Sequence, residues 1–411
     1  MLHQAGLIAP FSLLILIIYL SVEAVHFRRR LKKIPVRIAV GGIRGKSSIT
    51  RLIAWGLRQA GLKVMAKTTG SRPVLIYPDG HEQEISRRGR PTILEQKKLV
   101  EVAAAAESDF LVSEMMSIQP ECLGAEGRHL LRPQVLVLSN FRPDHTEFLG
   151  RHREEVARAL LEAVPAGTIV FIPEEEFQPW MGNLAREKGF ELMAVRSSIE
   201  SARLTEILPY PEFEPNARLA LAVLQHFGLS AERVQDGWSG LNPDLGRPRV
   251  WRVRVSGKHH FHLVSLFAAN DPESSLLAME LITRRLGWQE ARKIGLLSLR
   301  ADRGDRSRQW VEFLQSGAAD FLESLILIGP GARAVGRKLR NWSRKTGRPL
   351  LILPEREPEK GLEEIKKLVA DCQKRLPGAE ERCLVFGLGN IGGFGRKLIE
   401  YLERTADAVR I

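Results

Sequence analysis

The sequence predicts an α/β protein in which a larger and a smaller parallel-sheet domain follow one transmembrane helix. Three observations support this fold class. Short apolar runs alternate with amphipathic stretches over most of the chain, a glycine-rich turn follows the first of these runs, and the amino-terminal segment is almost wholly apolar. Because 411 residues are too many for one ordinary core, we expect an anchor at 1–33, a first domain at 34–246 and a smaller Rossmann-like domain at 247–411.

The composition is that of a globular protein with a large excess of positive charge. Lys and Arg number 61 against 48 Asp and Glu, which gives a formal net charge of +13. Such an excess favours polyanionic partners, whether nucleic acid, an anionic membrane surface or an acidic polymer. No zinc-finger or aromatic RNA-binding pattern accompanies the charge, so we expect no nucleic-acid partner. The cysteines, Cys122, Cys372 and Cys383, are too far apart for a disulfide framework or a metal cluster.

The amino-terminal segment predicts a membrane anchor. Residues 7–25 carry one charged side chain, Glu23, and reach roughly the 20 residues that a helix needs to cross a bilayer. A basic cluster at 26–33 follows directly, and the positive-inside rule keeps such a cluster in the cytoplasm. A cleaved signal peptide would carry its basic residues first, and a buried core helix would show a polar face. We therefore expect a single-pass protein of the cell membrane whose catalytic part is cytoplasmic.

A phosphate-binding loop is the first motif with a chemical meaning. The apolar run 36–40 predicts a buried strand, a glycine-rich turn with Gly-Lys-Ser follows, and 49–59 has a helical pattern. In such a P-loop, backbone N–H groups approach phosphate oxygens at a helix amino end, lysine bridges the outer phosphates, and serine holds Mg²⁺. Val40 stands where the common GTPase form has glycine. The predicted nucleotide-binding residues here are Gly42, Ile43, Arg44, Gly45, Lys46, Ser47 and Ser48.

The spacing of residues 39–47 resembles the ATP loop of the Mur ligase superfamily, which includes folylpolyglutamate synthases. Two later segments resemble further motifs of that family in the same order: Ser-Glu-Met-Met at 113–116 and Asn-Phe-Arg-Pro-Asp-His at 140–145, each after an apolar strand. Ligands of open parallel sheets gather at the carboxyl ends of strands, which is where these segments lie. The resemblance implies metal binding by Ser47, Thr69, Glu114 and His145, and catalytic roles for Lys46, Glu114 and His145.

Taken alone, each residue suits a structural role: Glu114 could cap a helix, and His145 could lie in a turn. Their joint placement beside a phosphate loop favours metal binding. The chain also departs from the family. Many Mur ligases carry a carbamylated lysine in the helix after the Asp-His motif, whereas 151–162 has no lysine and Arg158 lies near the expected place. Phe267 stands at the position of the ribose-binding aspartate. We expect nucleotide contacts from Asn216, Arg247 and Asp271.

The chain further resembles the ligase subunits of poly-γ-glutamate synthases, which combine a membrane helix with a Mur-like ligase that lacks the usual first Mur domain. This narrower resemblance spans nearly the whole chain. It rests on the segments 67–70, 140–150, 267–274, 300–308 and 387–393.

The second domain follows a breaker-rich linker at 242–248 and contains two segments of interest. The charge cluster 300–308 comes after an apolar strand. It is either a solvated loop with internal ion pairs or a site for a carboxylate or phosphate, which guanidinium groups suit. The segment 387–393 resembles a dinucleotide loop, but no strand with a ribose acid follows, which favours an anion loop facing the interdomain cleft. The predicted substrate residues are Arg300, Arg303, Arg306 and Asn390.

The resemblance implies an ATP-dependent amide ligase that uses Mg²⁺ and makes poly-γ-glutamate through an acyl phosphate of the glutamate γ-carboxylate. It implies glutamate, the growing polymer and small membrane subunits as partners, and it leaves a homo-oligomer open. Two alternatives remain. One is another ligase of the Mur or folylpolyglutamate type. The other is a membrane-bound P-loop ATPase for transport, which would show an acidic Walker B pair in place of Glu114 and the 140–145 motif.

Overall fold

The computed structural model describes residues 2–70, 72–87, 89, 91–238, 240–241, 246–256, 259–353, 357–374 and 382–409. Strands and helices alternate along the chain, as the sequence predicts. The first half contains α1 (Leu2–Lys32), β1 (Val36–Gly41), α2 (Lys46–Gln59), β2 (Val64–Thr68), β3 (Val74–Ile76), β4 (Glu82–Glu84), α3 (Glu95–Ala105), β5 (Phe110–Glu114), α4 (Pro120–Ala125), β6 (Val135–Leu138), α5 (Arg153–Glu162), β7 (Ile169–Pro173), α6 (Pro179–Lys188), β8 (Glu191–Val195), α7 (Ile199–Ile207), α8 (Glu214–His226) and α9 (Ala231–Trp238).

The first half forms one eight-stranded sheet in the order β4-β3-β2-β5-β1-β6-β7-β8. The six strands from β2 to β8 in this order run parallel, which is what the alternating pattern predicts. The edge differs from the prediction of a parallel sheet, because β3 and β4 pair antiparallel. Their connections are too short for the crossover that a parallel pair needs. The core therefore lies on both faces of a mixed sheet.

The helices cover both faces of this sheet. Leu99 of α3, Val156 of α5 and Met181 of α6 belong to the buried cluster on one face. Leu52 of α2 and Leu219 of α8 belong to the cluster on the other face. Strands buried on both faces read as continuous apolar runs, which is why β1, β5 and β6 could be recognised in the sequence.

The second half repeats the architecture with a smaller sheet. It contains β9 (Arg249–Ser256), β10 (His259–Ser265), α10 (Pro272–Leu286), β11 (Arg292–Ser298), α11 (Gly304–Gln315), β12 (Ser324–Ile328), α12 (Ala332–Thr346), β13 (Leu350–Leu353), α13 (Pro358–Lys374), β14 (Cys383–Gly389), α14 (Arg396–Thr405) and β15 (Asp407–Val409).

Its strands lie in the order β13-β12-β11-β14-β10-β9-β15. The pairs from β13 to β10 are parallel. By contrast, β9 pairs antiparallel with β10 and with β15, so this sheet is mixed as well. The two sheets lie on either side of the boundary predicted at 246–247. Of the predicted linker 242–248, residues 242–245 lie outside the described part of the chain.

The first helix leaves the body of the protein. Between Pro10 and Lys32 it is long and apolar enough to cross a membrane, and none of its most apolar window is buried. Its last turn is different, because Leu31 and the following Ile34 are buried in the core of the first half. The helix is therefore an exposed apolar rod joined to the first sheet at its carboxyl end.

Candidate active site

The predicted phosphate loop forms a tight turn between β1 and α2. Gly42 and Gly45 have positive φ values of 93° and 86°, a conformation that glycine adopts without steric cost. A Cβ at Gly42 would collide with Ser139, and one at Gly45 would collide with Asn216. These two positions therefore need glycine for both conformation and space. Among the described residues no side chain caps the start of α2, which suits a helix end that binds phosphate through its amide groups.

Lys46 lies inside this loop. Its Nζ donates hydrogen bonds to the carbonyl oxygens of Gly42 at 3.0 Å and Ile43 at 3.2 Å. Burial lowers the pKa of Lys46, and the nearby carboxylate of Glu114 opposes that shift. A buried ammonium at a helix amino end is a strong attractor for a phosphate group.

Glu114 ends β5 next to the loop. Its Oε2 accepts hydrogen bonds from the Ser47 hydroxyl and from the Thr69 backbone N–H, both at 2.7 Å. The structure thus brings together three of the predicted metal-binding residues. One carboxylate and one hydroxyl fit Mg²⁺, which usually takes few protein ligands and completes its shell with water and phosphate oxygens. In the described part of the chain no group of three or more His, Cys, Asp or Glu side chains is placed to hold a metal.

A buried polar network, which the sequence did not reveal, supports the backbone around Glu114. Gln96 donates to the Glu114 carbonyl at 3.3 Å and to Glu126 at 2.6 Å. The Glu126 carboxylate also accepts the backbone N–H groups of Met116 at 3.2 Å and Ser117 at 3.1 Å. Glu126 is fully buried, so a carboxylate there needs all of these donors. The network fixes the turn that carries Glu114.

Asp144 holds the two halves of the protein together. Its carboxylate receives Arg44 of the phosphate loop at 2.9 Å, and Arg303 and Arg306 of the second half at 3.5 and 3.4 Å. Burial acts to raise the pKa of Asp144, but the charges of Arg44 and Arg306 outweigh burial and hold that pKa well below its usual range. The sequence motif contained Asp144 but gave no sign of this role, because Arg44 lies 100 residues away along the chain and Arg303 and Arg306 lie 159 and 162 residues away.

His145 lies beside Asp144. It adopts a left-handed backbone conformation with φ 51°, and its Nε2 is 3.8 Å from the Asp144 carboxylate. Burial, together with the charges of Arg303 and Arg306, lowers its pKa. A neutral imidazole is the form that binds a metal. Its predicted metal role stays a prediction.

Two asparagines brace the loop from outside. Asn140 donates to the Arg44 carbonyl at 3.0 Å, and its own Oδ1 is buried with no hydrogen-bond partner among the described residues. Asn216, at the start of α8, donates to Glu212 at 2.8 Å. Burial raises the pKa of Glu212. An orphaned oxygen facing the cleft is suited to a ligand that carries a donor or a cation.

A cleft of about 680 Å³ lies between the halves and collects most of the predicted residues. Those that line it are Ile43, Arg44, Gly45, Lys46, Ser47, Ser48, Glu114, Asn216, Arg247, Arg300, Arg306 and Asn390. The lining does not include Gly42, Thr69, His145, Asp271 or Arg303. A cleft of this size accommodates a nucleotide together with a second substrate.

The second half contributes guanidinium and amide groups. Arg306 donates to Asn390 at 3.0 Å, and burial lowers its pKa to about 10. Its Nε is buried without a hydrogen-bond partner among the described residues. Arg300 pairs with Asp302 at 2.6 Å. The cluster 300–308 thus combines the two interpretations left open by the sequence: Arg300 makes an internal ion pair, and both Arg300 and Arg306 line the cleft.

The remaining predicted nucleotide contacts are partly engaged elsewhere. Asp271 caps α10 by accepting the Ser274 N–H at 2.9 Å and pairs with Arg44 at 2.8 Å. A ribose contact by Asp271 stays a prediction. Arg247 lies over the Tyr210 ring, 6.0 Å from its centroid, at the wall of the cleft.

Two family models match the chain. Residues 40–205 match the Mur ligase middle domain, and residues 250–405 match the poly-gamma-glutamate synthase CapB C-terminal domain. Among curated proteins, the capsule biosynthesis protein CapB of Bacillus anthracis is 34% identical over 297 residues, which cover 72% of this chain and 64% of that protein. The PGA synthase CapB of Bacillus subtilis (strain 168) is 29% identical over 385 residues, which cover 93% of each.

Solved structures show the same fold. A bifunctional folylpolyglutamate synthase/dihydrofolate synthase from Yersinia pestis, complexed with AMPPNP and Mn, matches with a TM-score of 0.63 and 17% identity, covering 93% of this chain and 92% of that one. MurF from Acinetobacter baumannii matches with a TM-score of 0.61 and 13% identity, covering 92% and 79%. The fold class and the family expected from the sequence are confirmed. Most of the chain is thus matched by a Mur ligase middle domain and a poly-gamma-glutamate synthase CapB C-terminal domain, and the chain is similar to curated CapB proteins.

Proposed function

We propose that this ligase makes poly-γ-glutamate by activating a γ-carboxylate as an acyl phosphate at the expense of ATP. One observation carries the proposal: the phosphate loop with Lys46 and Glu114 shares one cleft with Arg306 and Asn390 of the second half. A carboxylate bound by the second half would then face the γ-phosphate. Two reactants held in one cleft react as if at very high local concentration.

The reaction balances in two steps. A carboxylate oxygen attacks the γ-phosphorus, and the bond to the β-phosphate oxygen breaks to release ADP. The amine of a second glutamate then attacks the acyl carbon, phosphate leaves, and the amine loses a proton. The charge that develops on phosphate is offset by Lys46 and the amides of the loop. Closure of the halves excludes water, which would otherwise hydrolyse the acyl phosphate.

Glu114 and Ser47 would hold Mg²⁺. The 2.7 Å hydrogen bond from the Ser47 hydroxyl to the Glu114 carboxylate supports that placement, because it brings the two oxygens together. The metal would neutralise charge on the phosphate oxygens. Asn140 Oδ1, buried and unpartnered among the described residues, is a further oxygen near the loop. His145 stays a predicted ligand of a second metal, and the helix after it has no lysine between 151 and 162 that could be carbamylated.

Arg306 would bind the glutamate carboxylate. Its guanidinium is mostly buried, lines the cleft and has an Nε without a partner among the described residues. A carboxylate suits the guanidinium fork. The net charge of +13 would help to keep a polyanionic product near the protein through weak, salt-screened contacts.

The apolar part of α1 would anchor the enzyme in the cell membrane with its catalytic part in the cytoplasm, where small membrane subunits would join it. Its length, its apolar composition and the basic residues that follow it support this placement.

The test measures ADP formation with and without glutamate oligomers and follows labelled glutamate into polymer. We expect oligomers to stimulate ADP formation and Arg306→Gln to abolish the stimulation while nucleotide affinity, measured by calorimetry, is kept. Arg308→Gln is the matched control, because Arg308 is exposed on the same helix. If the rate of ADP formation does not depend on glutamate oligomers when the partner subunits are present, the proposal is wrong and a transport ATPase is favoured.

A further inference from the structure

The end of α1 is built into the first domain. Leu31 and Ile34 are buried, and the Arg37 guanidinium of β1 donates to their carbonyl oxygens at 3.4 and 2.7 Å. The Leu31 carbonyl, in the last turn of α1, also accepts the Ile34 N–H at 3.3 Å. The exposed apolar part of α1 therefore continues from a fixed point on the domain.

The direction of α1 follows from its connection to the sheet. Three residues, 33–35, join it to β1, and so short a turn makes helix and strand antiparallel. Two ion pairs agree with this: Lys97 of α3 contacts Glu23 at 2.6 Å, and Glu101, one turn later, contacts Arg30 at 3.0 Å. The two helices thus run in the same direction. Toward its amino end, α1 leads to the side of the sheet where the strands end.

The start of α3 marks that side. Gln96 contacts the Glu114 carbonyl, and Glu95 pairs with Lys67 of β2 at 3.2 Å. The catalytic edge of the first sheet and the exposed apolar rod of α1 therefore point to the same side of the domain.

An exposed apolar side chain lies at the start of α3, on the same side of the domain. Leu94, just before α3, is 57% exposed, and it is about one helical turn from Lys97. On α1, Tyr19 and Leu20 are 64% and 49% exposed and lie about one turn before Glu23. Because the helices run in the same direction and Glu23 contacts Lys97, Leu94 lies level with the apolar part of α1.

We propose that Leu94, with the half-buried Ile93, is a second contact with the lipid bilayer and fixes the orientation of the first domain relative to the membrane. The inference rests on the proposed anchoring of α1. Continuity with the apolar rod argues for lipid as the partner, and the exposed Arg28 and Arg29 suit an anionic headgroup layer beside it.

The test measures how deep labelled positions lie in the bilayer. It uses the full chain, with one copy in each nanodisc. Cys122→Ser, Cys372→Ser and Cys383→Ala remove the native thiols, and a fluorophore is placed by Leu94→Cys, Ile17→Cys or Glu107→Cys. Nitroxide lipids labelled near the headgroup quench a dye at that depth. Glu107 is the matched control, since it is 84% exposed in its side chain and lies beyond the other end of α3.

We expect several-fold stronger quenching at Leu94 and Ile17 than at Glu107. Quenching at Ile17 with Leu94 no different from Glu107 overturns the inference and leaves the anchor intact. No quenching at Ile17 shows that the anchor itself is wrong, and the inference falls with it. Neither result bears on the ligase reaction.

Nucleotide binding checks that each labelled variant is folded. If the cysteine-free chain does not fold, Leu94→Trp and Glu107→Trp in the natural chain replace it, with brominated lipids as the quencher. The native tryptophans are common to both variants, so the difference between them reports the depth of the two positions.

Discussion

The two sides of the cleft hold their functional groups in different ways. On the side of the first domain, Lys46 and Glu114 are held by neighbours in that same domain. On the other side, Arg303 and Arg306 contact Asp144, which belongs to the first domain. The contacts that hold Lys46 and Glu114 are therefore made within one domain, whereas Arg44 of the loop, through Asp271, and the two arginines, through Asp144, are held across the cleft.

This difference separates two kinds of function. A site formed within one domain keeps its geometry when the domains move, as the attack on a phosphate requires. A site formed across a hinge takes its shape only in the closed state, which couples substrate binding to closure. The predictions below test this division, starting with the change of largest expected effect.

Lys46→Ala should lower ligase activity by about 10³-fold, because it removes the charge that offsets developing negative charge on the phosphate. The fold should survive, since among the described residues Lys46 bonds only to carbonyl groups of its own loop. Steady-state ADP release together with circular dichroism is the measurement. Lys63→Ala, an exposed lysine at the start of β2, is the control. Near-normal turnover in a folded Lys46→Ala chain would contradict the assignment of phosphate chemistry to the first-domain side of the cleft.

Glu114→Ala should cost about 10²-fold in turnover and raise the Mg²⁺ concentration needed for half-maximal rate. His145→Ala should lower activity as well if the resemblance holds for that residue. A magnesium titration of both variants distinguishes them, because His145 contacts Asp144 rather than Glu114. An unchanged magnesium requirement in both would mean that the two residues are structural.

Asp144→Asn should lower the free energy of unfolding by about 3 kcal/mol at pH 7, because it removes the carboxylate that three buried or half-buried guanidinium groups share. Arg44 and Arg303 keep Asp271 and Asp305 as partners, whereas Arg306 keeps the neutral Asn390. The pKa of Asp144 is depressed in the folded state. Its stabilisation is therefore present above the unfolded-state pKa of about 3.9 and is lost as pH falls toward the folded value.

Urea unfolding at pH 7 and at pH 3 measures this effect, and the gap between variant and wild type should be smaller at pH 3. Asp302→Asn is the control, since that side chain is 62% exposed and its ion pair with Arg300 should contribute less than about 1 kcal/mol. Equal losses for the two variants would contradict a cross-cleft role for Asp144.

Arg153→Gln should have the smallest effect. Arg153 also crosses between the domains, to Glu273, but both side chains are nearly half exposed. We expect a change below about 0.5 kcal/mol in unfolding free energy that disappears at high salt. Chemical denaturation at two ionic strengths measures it. A larger, salt-resistant loss would show that docking rests on surface pairs as well as on Asp144.

The sequence predicted those parts that depend on local pattern. The strands β1, β5 and β6 are short apolar runs, and the loop between β1 and α2 has a recognisable spacing, so the residues at the strand ends could be placed in one site. The antiparallel pair β3 and β4 was missed, because β4 consists of three exposed polar residues and carries no apolar signal.

The groups that the sequence could not reveal are held by partners distant along the chain. Glu126 looks like an ordinary helical acid, and its burial becomes apparent only when Gln96 and the turn after Glu114 surround it. Asp144 gains two of its three arginines, Arg303 and Arg306, from the docking of the domains. Spacing along one sequence does not encode such contacts.

The hydrogen-bonded end of α1 fixes the rotation of the rest of this helix about its own axis. Arg37 and the buried Ile34 fix the last turn of this helix to the sheet, so the helix cannot swivel at that point. Each residue inserted between Val25 and Leu31 would lift the apolar segment by ~1.5 Å and rotate it by about 100° relative to the cleft. The number of residues in this short stretch therefore sets the rotational orientation of the enzyme about the axis of its anchor. An insertion of seven residues would return the apolar segment to within about 20° of its original orientation.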